Sequence, residues 1–166
     1  MGALTESNSG GHDFANIPNS EEEKKCIFCE IVSGGSPSSK IHETDRALVF
    51  NSLAGYPLIV PKEHVDNIFD EKLDKDTIYQ LAELEVQIAR AVRTAFQVNS
   101  VNIISANGEE AGQEVGHYHI HVIPRVANDN QIRLGKETRL PRNILDQRAE
   151  LMKNSLNELM FPDAGK

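Results

Sequence analysis

The chain has 166 residues, 39% hydrophobic and 25% charged, with a formal net charge of −8. Such a length and balance suit a single soluble domain with its own core, and an acidic chain without a basic cluster is a poor candidate for binding nucleic acid or anionic membranes. No apolar run approaches the roughly 20 residues of a membrane span, and residues 1–20 carry no secretory or organelle-targeting pattern, so the cytoplasm is the expected compartment.

Residues 1–22, rich in Gly, Ser and Asn, read as a disordered extension, and 23–166 as one domain. From Cys26 to Val32 the apolar residues Ile27, Phe28, Ile31 and Val32 recur at helical spacing, ended by Gly34-Gly35. Strands are expected over 40–43 and 47–51, turned by Thr44-Asp45-Arg46, and a third over 58–60, stopped by Pro61. Between Asp74 and Val98, residues Ile78, Leu81, Leu84, Ile88, Ala91, Val92, Ala95 and Phe96 make an amphipathic helix, with Asp74 or Asp76 as its cap. A fourth strand is expected over 99–106 and a fifth over 114–124, joined by a turn rich in Asn, Gly and Glu. A last helix follows Pro141, with Ile144, Leu145, the stem of Arg148, Leu151, Met152 and Leu156 on one face. Hairpins mixed with a long helix make the class α+β, with an antiparallel sheet.

The fifth strand carries the chemistry. Half of the six histidines stand at alternate positions, as His117, His119 and His121. Alternation along a strand puts them on one face, with Tyr118, Ile120 and Val122 on the other. A row of imidazoles suits acid–base work, nucleophilic attack or metal binding near neutral pH; the plain alternative is a solvated edge. Cys26-x-x-Cys29 has metal-ligand spacing and needs two more donors. His64, just after the third strand, and His117 are candidates for a tetrahedral zinc site. Two free buried cysteines with a surface histidine is the other reading, and a redox pair a third, although no strand precedes Cys26 as thioredoxin-like pairs require.

These motifs together resemble the histidine-triad (HIT) superfamily. His117-x-His119-x-His121 followed by Val122-Ile123 resembles its signature, and residues 107–116 lead into it as in the Hint-like branch. Cys26-Ile27-Phe28-Cys29 resembles the start of bacterial-type members, and Ile59-Val60-Pro61-Lys62-Glu63-His64 the segment after the family's third strand. The resemblance implies a five-stranded antiparallel sheet with one long helix and a C-terminal helix, usually in a homodimer. It implies hydrolysis at the α-phosphate of a purine nucleotide, such as a nucleoside phosphoramidate, through a nucleotidyl-histidine intermediate. His119 would be the nucleophile, and His121 would bind a phosphate oxygen and assist the leaving group. Cys26, Cys29, His64 and His117 would hold a structural zinc. Asn107, Gly112 and Gln113 would cradle phosphate, and Phe28, Ile31, Phe50 and Leu53 would wall the base, although Gly112 and Asn107 also suit a plain turn and the apolar four a plain core.

Four positions depart from the family pattern. Asn51-Ser52 falls where relatives carry an acidic residue for the ribose hydroxyls, and a hydroxyl is a weaker acceptor than a carboxylate. The loop from Ser52 to Tyr56 is shorter than in Hint-like relatives. Tyr56 replaces a further histidine and does not titrate near neutral pH. Glu114 stands where some relatives use a hydroxyl to bind phosphate. Dinucleoside polyphosphate hydrolysis by the same triad is an alternative, as is a zinc-stabilised nucleotide-binding protein with little catalysis.

Overall fold

The structure, a computed structural model, describes residues 26–129 and 140–160. The extension expected at 1–22 therefore lies outside the described residues. The chain divides into two compact units, Met1–Ala127 and Asn128–Lys166.

The first unit holds a five-stranded sheet of β1 (Lys40–Glu43), β2 (Ala47–Asn51), β3 (Pro57–Pro61), β4 (Ser100–Ile104) and β5 (Ile120–Arg125), in the order β1-β2-β3-β5-β4. Every neighbouring pair is antiparallel. Two helices accompany it, α1 (Ile27–Ser33) and α2 (Lys75–Ala95). The second unit contains α3 (Arg142–Met160), whose first turn is closed by Ile144 and Leu145 amides on the Pro141 carbonyl.

The sheet is apolar on both faces. Val49 and Ile59 lie in one cluster with Leu81, Leu84, Ile88 and Val92 of α2, joined by Tyr118, Ile120 and Val122. Their chain neighbours Leu48, Phe50, Leu58 and Val60 form a second cluster with Phe28 and Ile31 of α1. Strands covered on both sides read as continuous apolar runs rather than alternating ones, which explains the ALVF and LIV stretches. Ile59, fully buried, touches α2 from the middle of the sheet. Truncation by Ile59→Ala is expected to cost about 2–5 kcal/mol, measurable by urea unfolding at constant slope.

On α2 the buried stripe is Thr77, Leu81, Leu84, Ile88 and Val92. Ile78 and Phe96, placed on the apolar face by sequence spacing, are about half exposed at 45% and 49%. The Asp74 side chain caps α2 by accepting the Thr77 amide at 2.9 Å.

Two strands are shorter than the sequence suggests. β4 spans Ser100–Ile104 rather than 99–106, and β5 begins at Ile120 rather than 114. The β3–β5 ladder pairs Leu58 with His121 and Ile59 with Ile120. Further along, β3 ends at Pro61, which has no amide to extend a ladder. The incoming chain bends away instead, and the Tyr118 amide donates to the Val65 carbonyl at 2.6 Å.

Candidate functional site

α1 starts at the edge of the site. Cys26 is its N-cap and Gly34, at φ 81°, its left-handed C-cap. The helix is short because two glycines follow, and its buried residues Phe28 and Ile31 fix it on the sheet. That placement brings Cys26 and Cys29 to His64, beyond the end of β3, and to His117, ahead of β5. The Cys29 sulfur lies 3.2 Å from His64 Nδ1 and 3.5 Å from His117 Nδ1, and the Cys26 sulfur 3.4 Å from His117 Nδ1. All four donor atoms fall within 4.8 Å of one another.

This set fits zinc. Bond lengths of about 2.3 Å to sulfur and 2.0 Å to nitrogen place S and N donors of a tetrahedron roughly 3.5 Å apart. Both imidazoles are also set for ligation from behind. His64 donates its Nε2 proton to Asp66 Oδ1 at 2.9 Å, and His117 donates its own to the Pro61 carbonyl at 2.9 Å. Each bond fixes the tautomer that leaves Nδ1 free to bind a cation. With the metal absent, burial and then the neighbouring Cys26 thiol push the Cys29 thiol up to about 11. Binding a cation there means displacing protons, so metal affinity weakens as the pH is lowered. Asp66 and Pro61 are the supporting residues that the sequence reading missed. A carboxylate two residues after His64 was a usable signal; a backbone carbonyl was not.

His117 also links the cluster to the rest of the row. Its carbonyl accepts the Nδ1 proton of His119 at 2.7 Å, and both residues are buried. A neutral imidazole has one N–H, so this bond leaves the His119 Nε2 lone pair unprotonated. No hydrogen bond among the described residues occupies Nε2. Phe28 packs edge-on to both rings, with centroids 5.8 Å from His117 and 5.2 Å from His119. His121 follows with its ring 4.8 Å from that of His119, and the Tyr56 ring lies 5.7 Å from that of His121. Nδ1 of His121 is buried without a hydrogen-bond partner, a cost usually retained where a ligand supplies the missing bond.

Burial lowers the pKa of His117 and of His121; at His117 the bond to the Pro61 carbonyl opposes this and the neighbouring His64 and His119 rings add to it, and at His121 His119 adds to it while Glu114 opposes it. Both rings are thus kept neutral in the fold, and between their folded values and the ordinary 6.5 the unfolded chain binds more protons. Stability is therefore expected to fall as pH drops through about 6.5 and below, seen as a declining urea midpoint. A midpoint unchanged down to pH 5 would contradict neutral burial.

The other residues singled out from the sequence fall into two groups. Phe28, Ile31 and Phe50 stand together in the apolar cluster beside the histidines, Phe28 and Phe50 touching edge to face at 5.6 Å. Leu53 is wholly exposed, at the tip of the β2–β3 turn and outside that cluster. Ser52 closes this turn: its amide donates to the Tyr56 carbonyl at 2.8 Å and its hydroxyl accepts the Tyr56 amide at 3.3 Å. Asn51 is exposed at the end of β2, its amide bonded to Ser39.

Asn107 and Gln113 build loops. Asn107 Oδ1 accepts the Ile68 amide at 2.8 Å, and Gln113 bridges the Gly108 amide (2.8 Å) and the Asp66 carbonyl (2.6 Å). The Gly112 amide closes a short 3-10 turn on Glu109, and the Gln113 amide bonds the Gly108 carbonyl. In contrast, no hydrogen bond among the described residues uses the amides of Glu114, Val115 and Gly116. These three amides lead directly into His117.

A two-faced antiparallel sheet, alternate histidines running into its fifth strand and a four-donor cluster beside them define a histidine-triad protein. Residues 33–128 match the HIT domain, more than half of the chain, and the protein belongs to that family. Adenylylsulfatase HINT3 of Arabidopsis thaliana is 32% identical over 130 residues, covering 76% of this chain and 65% of the plant protein. Adenosine 5′-monophosphoramidase hnt1 of Schizosaccharomyces pombe is 33% identical over 104 residues, covering 60% and 74%. A crystal structure of a zinc-bound histidine triad family protein from Mycobacterium smegmatis superposes with a TM-score of 0.59 at 30% identity, covering 76% of this chain and 97% of that one.

Proposed function

We propose that the protein hydrolyses nucleotides at the α-phosphate through a covalent intermediate on His119, and that its substrate is a purine nucleoside phosphoramidate. The observation that carries this reading is the bond from His119 Nδ1 to the His117 carbonyl, which presents a neutral Nε2 as nucleophile. In the first step Nε2 attacks phosphorus, a P–N bond to His119 forms and the bond to the leaving amine breaks. The amine departs with a proton. Water then cleaves the histidine–phosphorus bond and restores the imidazole. His121, whose ring adjoins that of His119, binds a non-bridging oxygen and assists the leaving group.

The amides of residues 114–116 hold the phosphate, and Phe28, Ile31 and Phe50 pack the purine. Asn51 and Ser52 lie where the ribose hydroxyls would be met, and Leu53 completes the wall only if the β2–β3 turn folds inward. Asn107, Gly112 and Gln113 then act by shaping the phosphate loop. Cys26, Cys29, His64 and His117 hold one structural zinc, which ties α1 to the histidine segment. The working unit is a homodimer in the cytoplasm, without nucleic-acid or membrane partners; β4 offers a free sheet edge to a second copy.

A second reading keeps the triad and changes the leaving group to a nucleotide, as in dinucleoside polyphosphate hydrolysis. The departures at Ser52 and Tyr56 also motivate a third, a zinc-stabilised nucleotide binder with little catalysis. A rate comparison of adenosine 5′-phosphoramidate, diadenosine polyphosphate and adenylyl sulfate separates them. The phosphoramidate is expected to give the highest kcat/KM; faster asymmetric cleavage of the dinucleotide would favour the second reading, and tight binding with no turnover the third.

A further inference from the structure

Cys26 and Cys29 occupy the N-cap and the third residue of α1. Side chains at these two positions fold back toward each other over the first turn, as in a capping box. Their sulfurs lie within 4.8 Å of each other in the four-donor cluster, and a disulfide brings them to about 2.05 Å by a modest swing of side chains already turned together. Neither cysteine is fully buried. Both line an open pocket of about 350 Å³ whose remaining walls are Glu30, Ser33 and Gly35. Because the pocket contains none of the catalytic histidines, a small molecule can reach the sulfurs without entering the nucleotide site.

We propose that the Cys26–Cys29 pair is a reversible oxidation site for small peroxides, and that closing its disulfide releases the bound cation. The proposal rests on the zinc reading above. One thiolate attacks a peroxide oxygen: an S–O bond forms, the O–O bond breaks and hydroxide leaves with the electron pair. The second thiolate then attacks that sulfenic sulfur, forming the S–S bond and expelling a second hydroxide. Each sulfur loses one electron, the peroxide accepts both, and two protons from solvent complete two waters. Only His64 and His117 remain as donors, and two neutral imidazoles without thiolates hold zinc far more weakly.

His117 carries the event to the catalytic row. Its side chain is in the cluster, and its carbonyl holds the His119 Nδ1 proton. Phe28, between the two cysteines in sequence, packs against both rings, so a disulfide spanning it shifts the contact that seats His119.

The test uses the full chain loaded with zinc, its content verified by elemental analysis. Hydrogen peroxide is added, zinc release is followed with a chromogenic chelator, and the products are examined by intact mass and peptide mapping. The expected result is release of about one zinc per chain, in step with a mass loss of about 2 Da that maps to residues 26–29. Dithiothreitol with added zinc should reverse both. Zinc retained under peroxide with both thiols still alkylated afterwards overturns the proposal and leaves the zinc reading standing. Release accompanied only by irreversible sulfinic or sulfonic acids also overturns it. A protein that holds no zinc, as purified or after reconstitution, overturns the zinc reading and the proposal together.

Discussion

His119→Ala is expected to lower kcat for adenosine 5′-phosphoramidate by about 10⁴-fold or more, because the covalent route loses its nucleophile and no neighbour can replace it. His117 has both ring nitrogens committed, Nε2 to the Pro61 carbonyl and Nδ1 to the cysteine cluster. His121 sits a full ring away, at 4.8 Å, with its Nδ1 buried. The rate should fall in kcat while nucleotide binding persists, since the apolar cluster of Phe28, Ile31 and Phe50 is untouched by the substitution. Unfolding curves and zinc content taken with the kinetics separate lost chemistry from lost structure. A variant that keeps a tenth of the parent rate would remove His119 from the mechanism.

Withholding zinc by chelation, or deleting one of the proposed donors by Cys29→Ser, is expected to lower the melting temperature markedly. A ligand present at a thousand times its dissociation constant contributes about 4 kcal/mol to the folded state. At roughly 2–4 °C per kcal/mol for a chain of this size, the expected fall is about 8–16 °C, measured calorimetrically with and without zinc. The effect should concentrate at α1, because the cluster ties this seven-residue helix to the end of β3 and the approach to β5. Hydrogen exchange would show early opening at residues 27–33, with β2 and β3 protected. Equal melting temperatures for loaded and chelated protein would leave the cluster without a structural role.

Much of this organisation is readable in the sequence, for physical reasons that differ by element. The runs in β2 and β3 announce strands covered on both faces, and the spacing from Leu81 to Val92 announces a helix on one of them. The Cys26-x-x-Cys29 pair finds His64 and His117 as partners because metal sites demand particular donor types, and the structure brings these four together. The start of β5 was not readable. Alternation of imidazole and apolar residues continues through 117–119, yet the ladder to β3 stops at Ile120, since the Tyr118 amide goes to the Val65 carbonyl and the Pro61 carbonyl takes the His117 ring instead. Asn107 and Gln113 were equally opaque. An amide side chain can bind phosphate or tie loops, and the choice depends on Ile68 and Asp66, 39 and 47 residues distant in the chain. Leu53 shows the limit of hydropathy: its side chain is apolar, but a tight turn closed by Ser52 and Tyr56 holds it in solvent.

The most direct measurement is rapid quenching of the zinc-loaded protein during turnover of adenosine 5′-phosphoramidate, followed by peptide mass mapping. The expected result is a nucleoside monophosphate carried on His119, formed and lost at rates that match steady-state turnover. Rapid turnover with no adduct, or with the adduct on His121 instead, would contradict attack by His119.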